Sequence, residues 1–192
     1  MIPTRDHCYV LFDKFKLPTQ KKIHVEEVAK LANYFVKKFA VDSSCLPAGK
    51  ARVSVDAKLV EAAALLHDID KNVTKRPGER HPDTAVRILN ELGFTEVAEV
   101  VRRHSLHAIL DPRLAPRTWE EKIVYLADKM TKYEIIGVDH RFKLWYRENL
   151  PADAVKQLDA SFPKVKALEQ EIYQVGKINF TDIQKELQYS NT

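Results

Sequence analysis

The chain has 192 residues, 45% of them hydrophobic and 30% charged, with a formal net charge of +4. That is enough apolar material for a core without a disulfide framework or a structural zinc knot, and so small a positive excess suits phosphorylated small molecules as well as nucleic acid. Cys8 and Cys45 form no CxxC pair, which points to a reducing compartment; with no run resembling a signal region or a membrane span, a cytoplasmic protein with no membrane partner is expected.

Five glycines and no Asn-Gly or Asp-Gly pair leave little sign of hairpins, and helical periodicity dominates, so the chain reads as all-α. Residues 19–39 place Val28, Leu31, Ala32, Phe35 and Phe39 on one stripe, and the polar residues 42–49 read as a loop. The next helix, over 56–69, turns Leu59, Val60, Ala63 and Leu66 inward, and Ala62, Ala63 and Ala64 permit close helix contact. Charged residues 71–80, with Pro77-Gly78, form a loop. A helix follows from about Pro82 to Gly93, and another, capped by Thr95, runs to about His104. After Pro112 and Pro116, Thr118-Trp119-Glu120-Glu121 is a capping box opening a helix with Ile123, Val124, Ala127 and Met130. Pro163 and Gly176 divide the tail, giving helices over 139–149, 151–160, 163–175 and 181–188. Leu144-Trp145-Tyr146 reads as core, with a homodimer surface as the alternative. The expected organisation is a core over 1–135 with an extension of C-terminal helices, 136–192, packed on it.

Of seven histidines, several fall on helices that converge on one interior. His24 lies one turn before Val28, His67 and Asp68 close a helix of Ala and Leu, and His104 follows Val100 and Val101 on their apolar face. Asp128 sits amid Val124, Ala127 and Met130, where an ionised carboxylate is costly unless paired or metal-bound. Imidazoles and carboxylates together suit a first-row divalent metal, and a bridging carboxylate can hold two. Such a metal makes hydroxide from bound water near neutral pH, a nucleophile for phosphorus. His7 and His140 read as structural or exposed. The scattered lysines lack the aromatic interleaving of a nucleic-acid platform, and Gly49-Lys50 is no P-loop because Ser44 stands where a glycine is required.

The order His24, His67-Asp68, Asp128 resembles the H…HD…D signature of the HD superfamily of metal-dependent phosphohydrolases. It is carried by His24-Val-Glu-Glu-Val-Ala-Lys-Leu-Ala, Glu61-Ala-Ala-Ala-Leu-Leu-His-Asp-Ile-Asp-Lys71 and Val124-Tyr-Leu-Ala-Asp-Lys129. The resemblance implies an all-α HD-domain helical bundle. His81-Pro82 and Arg102-Arg103-His104 resemble the further histidines of members with a two-metal centre, among them bacterial hydrolases that cut diadenosine tetraphosphate symmetrically. By that resemblance one ion would take His24, His67, Asp68 and Asp128, and a second His81 and His104, with Asp68 bridging. Iron is the metal it implies; manganese, cobalt and nickel also accept these ligands. Asp70 departs from the family's HDIG wording, and the loop before His81 is shorter than in the diadenosine tetraphosphate enzymes.

The expected activity is hydrolysis of a nucleotide-like phosphoester or phosphoanhydride, with a nucleotide or dinucleoside polyphosphate as partner and Asp68 and Lys71 as catalytic groups. Lys71, Arg103, His107 and Lys129 are the candidates for contacting substrate phosphate or protonating the leaving group. A one-metal nucleotidase and a non-catalytic nucleotide-sensing module are the alternatives.

Overall fold

The structure, a computed structural model, describes residues 1–41 and 54–188; the loop expected over 42–49 lies outside the described residues. Among them are nine α-helices: α1 (Arg5–Lys14), α2 (Thr19–Val41), α3 (Ala57–Leu66), α4 (Asp83–Glu91), α5 (Thr95–Arg102), α6 (Trp119–Lys129), α7 (Val138–Tyr146), α8 (Ala152–Gly176) and α9 (Phe180–Gln188). A 3-10 helix, Leu106–Leu110, joins α5 to the loop before α6, and among the described residues the β-type pairing is confined to an isolated bridge between Thr131 and Ile135. The protein is all-α, and no helix among the described residues is long and apolar enough to cross a membrane.

The long α2 is the axis of the bundle, with α3 and α6 laid against it. Its stripe of Val25, Val28, Ala29, Leu31, Ala32, Phe35 and Phe39 is buried, and Ala62, Ala63 and Ala64 of α3 are buried opposite, letting the backbones approach closely. Helices α4 and α5 pair, and α5 packs on α3. Their corner is set by Gly93 (φ +80°): the N–H of Phe94 reaches Leu89 O at 2.8 Å and that of Gly93 reaches Asn90 O at 3.0 Å. This double closure satisfies the last carbonyls of α4, and glycine takes the left-handed position without a Cβ penalty. Thr118 and Glu121 form the expected capping box at the start of α6. Helix α8 then crosses α2, α6, α7 and the 3-10 helix, so one buried cluster runs through the chain from Cys8 to Ile183.

Five features depart from the expectations above. Helix α1 went unread, although Cys8, Leu11 and Phe12 are buried at helical spacing and Thr4 caps it by accepting from the N–H of His7. Helix α3 stops at Leu66 rather than running to residue 69, and α5 is capped at Phe94 rather than by the side chain of Thr95. Pro163 lies inside α8 and does not divide it. An internal proline costs a helix about 3 kcal/mol; burial of Leu158, Val165, Leu168 and Ile172 along the same face offsets that loss. Finally, Leu144-Trp145-Tyr146 is not core: Tyr146 is exposed, and Trp145 is half-buried in the wall of a cleft.

Candidate metal centre

Six side chains from separate segments meet beneath α7. His24 comes from the start of α2, His67 and Asp68 from the end of α3, His81 from the loop before α4, His104 from the end of α5, and Asp128 from the last turn of α6. The tightening of the chain at Leu66 explains how neighbours in sequence serve one site. Beyond it the N–H groups of Ile69, Lys71 and Val73 reach the carbonyls of Leu66, Asp68 and Asp70, three residues back, at 3.0–3.1 Å. Residues three apart are eclipsed in such turns, and Lys71 Nζ accordingly sits 3.2 Å from Asp68 Oδ1.

Each imidazole is tethered through Nδ1. His67 donates to Ala64 O at 2.8 Å and His104 to Val101 O at 2.6 Å, each reaching a carbonyl three residues back near its own helix end. His24 donates to Lys132 O at 2.8 Å, and His81 to the Asp70 carboxylate at 3.0 and 3.1 Å. These acceptors carry no proton, so the hydrogen of each neutral ring resides on Nδ1 and the Nε2 lone pair faces inward. The four rings form an edge-to-face chain, His24–His67–His104–His81, with centroids 5.2, 4.9 and 4.8 Å apart. Nε2 of His67 lies 3.3 Å from that of His24, and Nε2 of His81 lies 2.9 Å from that of His104. Lone pairs meeting at such distances repel unless a cation lies among them, so the donor set fits divalent metal.

The ligand atoms form three overlapping groups, each within 4.8 Å: His24, His67 and Asp68; His67, His104 and Asp128; Asp68, His81 and His104. Burial drives the His67 ring down to a pKa of about 4 and that of His104 well below its usual value, favouring neutral, ligating imidazoles. Burial raises the Asp68 carboxyl, but His67, Lys71 and Lys21 together outweigh it and hold the group far below the usual carboxylate range. For Asp128 burial is likewise outweighed, chiefly by the Lys129 ammonium bound to it. Both carboxylates are therefore anionic at neutral pH.

A cleft of about 270 Å³ opens onto this cluster. Lys71 and His107 line it, His107 exposed at its mouth. Lys129 also reaches it but is 3% exposed, its ammonium bound to Asp128 and to His104 O (2.7 Å). Arg103 is not brought to the cleft: it donates to Arg113 O at 2.8 Å and pairs with Glu121 at 3.0 Å, tying down the loop before α6. His7 stacks edge-on against Phe94, away from the cluster. Two residues of the site escaped the sequence reading. Lys21 sits 2.8 Å from Asp68 Oδ2; its signal was its place one turn before His24. Asp70, noted only as a departure from HDIG, is buried and orients His81. A larger cleft of about 490 Å³ between α7 and α8 contains none of the six clustered residues.

A model of the HD domain matches residues 22–133, more than half of the chain and the whole of this cluster. The chain belongs to the HD domain family. HD domains bind divalent metals and are generally hydrolases, in keeping with the donor set of this one. The chain is also 26% identical, over 97% of its length, to a tRNA (cytidine(56)-2'-O)-methyltransferase of Picrophilus torridus. It spans about half (51%) of that relative's length. No solved structure matches the chain.

Proposed function

We propose that this HD domain hydrolyses a phosphoester or phosphoanhydride of a nucleotide-like molecule at a centre of two divalent ions. The carrying observation is the convergence of four inward Nε2 atoms on Asp68, which belongs to two of the three ligand groups. His24, His67, Asp68 and Asp128 would hold one ion, and His81 and His104 the second, with Asp68 shared. Iron is the proposed metal, with manganese, cobalt or nickel as substitutes. When bound, such ions activate water and offset charge on the phosphoryl group.

The chain's own residues have separable tasks. Asp68 and Asp128 supply fixed negative charge, and Lys21, Lys71 and Lys129 keep it ionised. Lys71, 28% exposed at the cleft, is placed to meet phosphate oxygens as charge develops. His107 stands where a leaving group could take a proton. The C-terminal helices from residue 136 onward are read as an extension packed on the core, with Arg141 and Trp145 of α7 in the wall of this cleft. The relative's printed methyl-transfer activity does not attach to the matched half by itself, since half of that protein lies outside the match. Its name does add tRNA to the substrates worth testing, against the expectation of no nucleic-acid partner.

The test is elemental analysis of the purified protein coupled to phosphate release from nucleotides, dinucleoside polyphosphates and tRNA. About two ions per chain with turnover of one class supports the proposal. One ion per chain would favour a one-metal nucleotidase, and binding without any hydrolysis a sensing module. A sharper expectation concerns Asp70. Asp70→Ala should weaken the ion on the His81 side by about 10- to 100-fold, the usual effect of removing a partner that orients a ligand. The ion on the His24 side should stay. Metal titration of the variant checks this, and two unchanged affinities would refute it.

A further inference from the structure

After Asp128 the chain doubles back over the cluster. Met130 O accepts from the N–H of Ile136 (2.9 Å) and of Gly137 (3.0 Å), and Gly137 O accepts from the N–H of Arg141 (3.0 Å) to begin α7. Gly137 has φ +80°, and a Cβ there would lie 3.1 Å from the ring of Phe180 in α9, so the corner is built for glycine. The result is that Arg141 and Trp145, one turn apart, stand in the wall of the metal-site cleft.

Arg141 differs from the other cations there. Lys21 and Lys71 are paired with Asp68, and Lys129 with Asp128. The Arg141 side chain has no ion pair and no hydrogen bond among the described residues, and its Nε is buried without a partner. Its guanidinium carbon lies 4.3 Å over the ring of Trp145, which is held edge-on against the buried Phe142 at 5.0 Å and 82°. Stacking occupies a face of the guanidinium plane and leaves its N–H donors free in that plane. A half-buried planar guanidinium with a buried Nε and unused donors, beside a metal cluster, calls for an acceptor with two oxygens.

We propose that Arg141 binds the non-bridging oxygens of the substrate's phosphoryl group as a two-pronged donor, and that Trp145 is the residue that positions it. The substrate class is thus one that presents at least two free phosphoryl oxygens towards α7. This inference rests on the hydrolase reading above. Arg141 would take the phosphate-binding role that the sequence suggested for Arg103.

The test titrates inorganic phosphate into wild type, R141M, R141K, W145A and W145F, each with metal loaded and each after chelation. In R141M phosphate affinity should fall by about tenfold or more in both arms, with metal content unchanged. R141K, keeping charge but not the fork, should lose about threefold or more. W145A should lose affinity, and W145F, which retains a ring face, should recover most of it. Wild-type affinity in R141M, or in R141K should R141M not fold, would overturn the inference, as would phosphate binding to wild type in neither arm. Loss of metal from R141M would also overturn it, by making the residue part of the cluster's scaffold. W145A matching W145F would remove Trp145 from its positioning role. Failure of wild type to take up metal would instead refute the hydrolase reading, and the chelated arm would still decide the role of Arg141.

Discussion

Asp68→Ala should strip the protein of metal and lower phosphate release by about 10³-fold or more, the scale on which removal of one fixed electrostatic group already acts. The carboxylate is 5% exposed and lies 2.8 Å from Lys21, 3.2 Å from Lys71, 3.4 Å from His81 Nε2 and 4.0 Å from His67 Nε2. Its removal leaves the cluster with an excess of positive charge and no shared ligand between its two sides. Asp68→Asn keeps the shape and loses the charge, so it should fail nearly as badly. Lys21 and Lys71 are 38% and 28% exposed and can turn to water, so both variants should remain folded. Elemental analysis and phosphate release on the folded variants decide the matter; metal and turnover at wild-type levels would sink the mechanism.

The second large effect is acid instability of the chelated protein. The buried ring of His67 protonates only near pH 4, and that of His104 well below its usual 6.5, whereas both take up protons near 6.5 once unfolded. Below about pH 6.5 the unfolded chain therefore binds protons that the folded one refuses, and stability falls as pH falls. Over the drop from neutrality to pH 5 this amounts to about 2 kcal/mol for His67, and His104 acts in the same direction. For a chain of this size the His67 part alone is roughly 4–8 °C in Tm. Asp68 and Asp128, both lowered, give up their contribution only below the ordinary carboxylate pKa of 3.8, so they do not offset the loss in this window. Thermal unfolding at pH 7.5 and pH 5 measures it, and an unchanged Tm would contradict it. The metal-loaded protein should show a steeper fall, since protons compete with metal for the same lone pairs.

The all-α class and most of the clustered residues were legible because the imidazole or carboxylate sat on or beside an apolar helical stripe that had to face inward; His81, in the loop before α4, came from the family resemblance. Asp128 among Val124, Ala127 and Met130 is the plainest instance. The limits of the reading were those of local sequence. Nothing near Arg103 announces Glu121 or the carbonyl of Arg113, which draw it away from the cleft. Trp145 looked like core because its neighbours are large and apolar, yet Gly137 turns α7 so that the indole meets Arg141. Asp70 is three residues from His67 in sequence, but its meaning depends on His81, eleven residues on, swinging its Nδ1 onto it. Pro163 signalled a break that burial over a 25-residue helix overrode.

The imidazole of His81 is 23% exposed, whereas that of His67 is 1% and that of His24 is 6%. Two ions held by this cluster would therefore exchange with solvent on different clocks. The one beside His81 faces the cleft and would meet water or a chelator directly. The one beside His24, between two imidazoles nearly closed to solvent and reached from the cleft along Asp128, would leave more slowly. Loss would be staggered, the ion beside His81 being the first out.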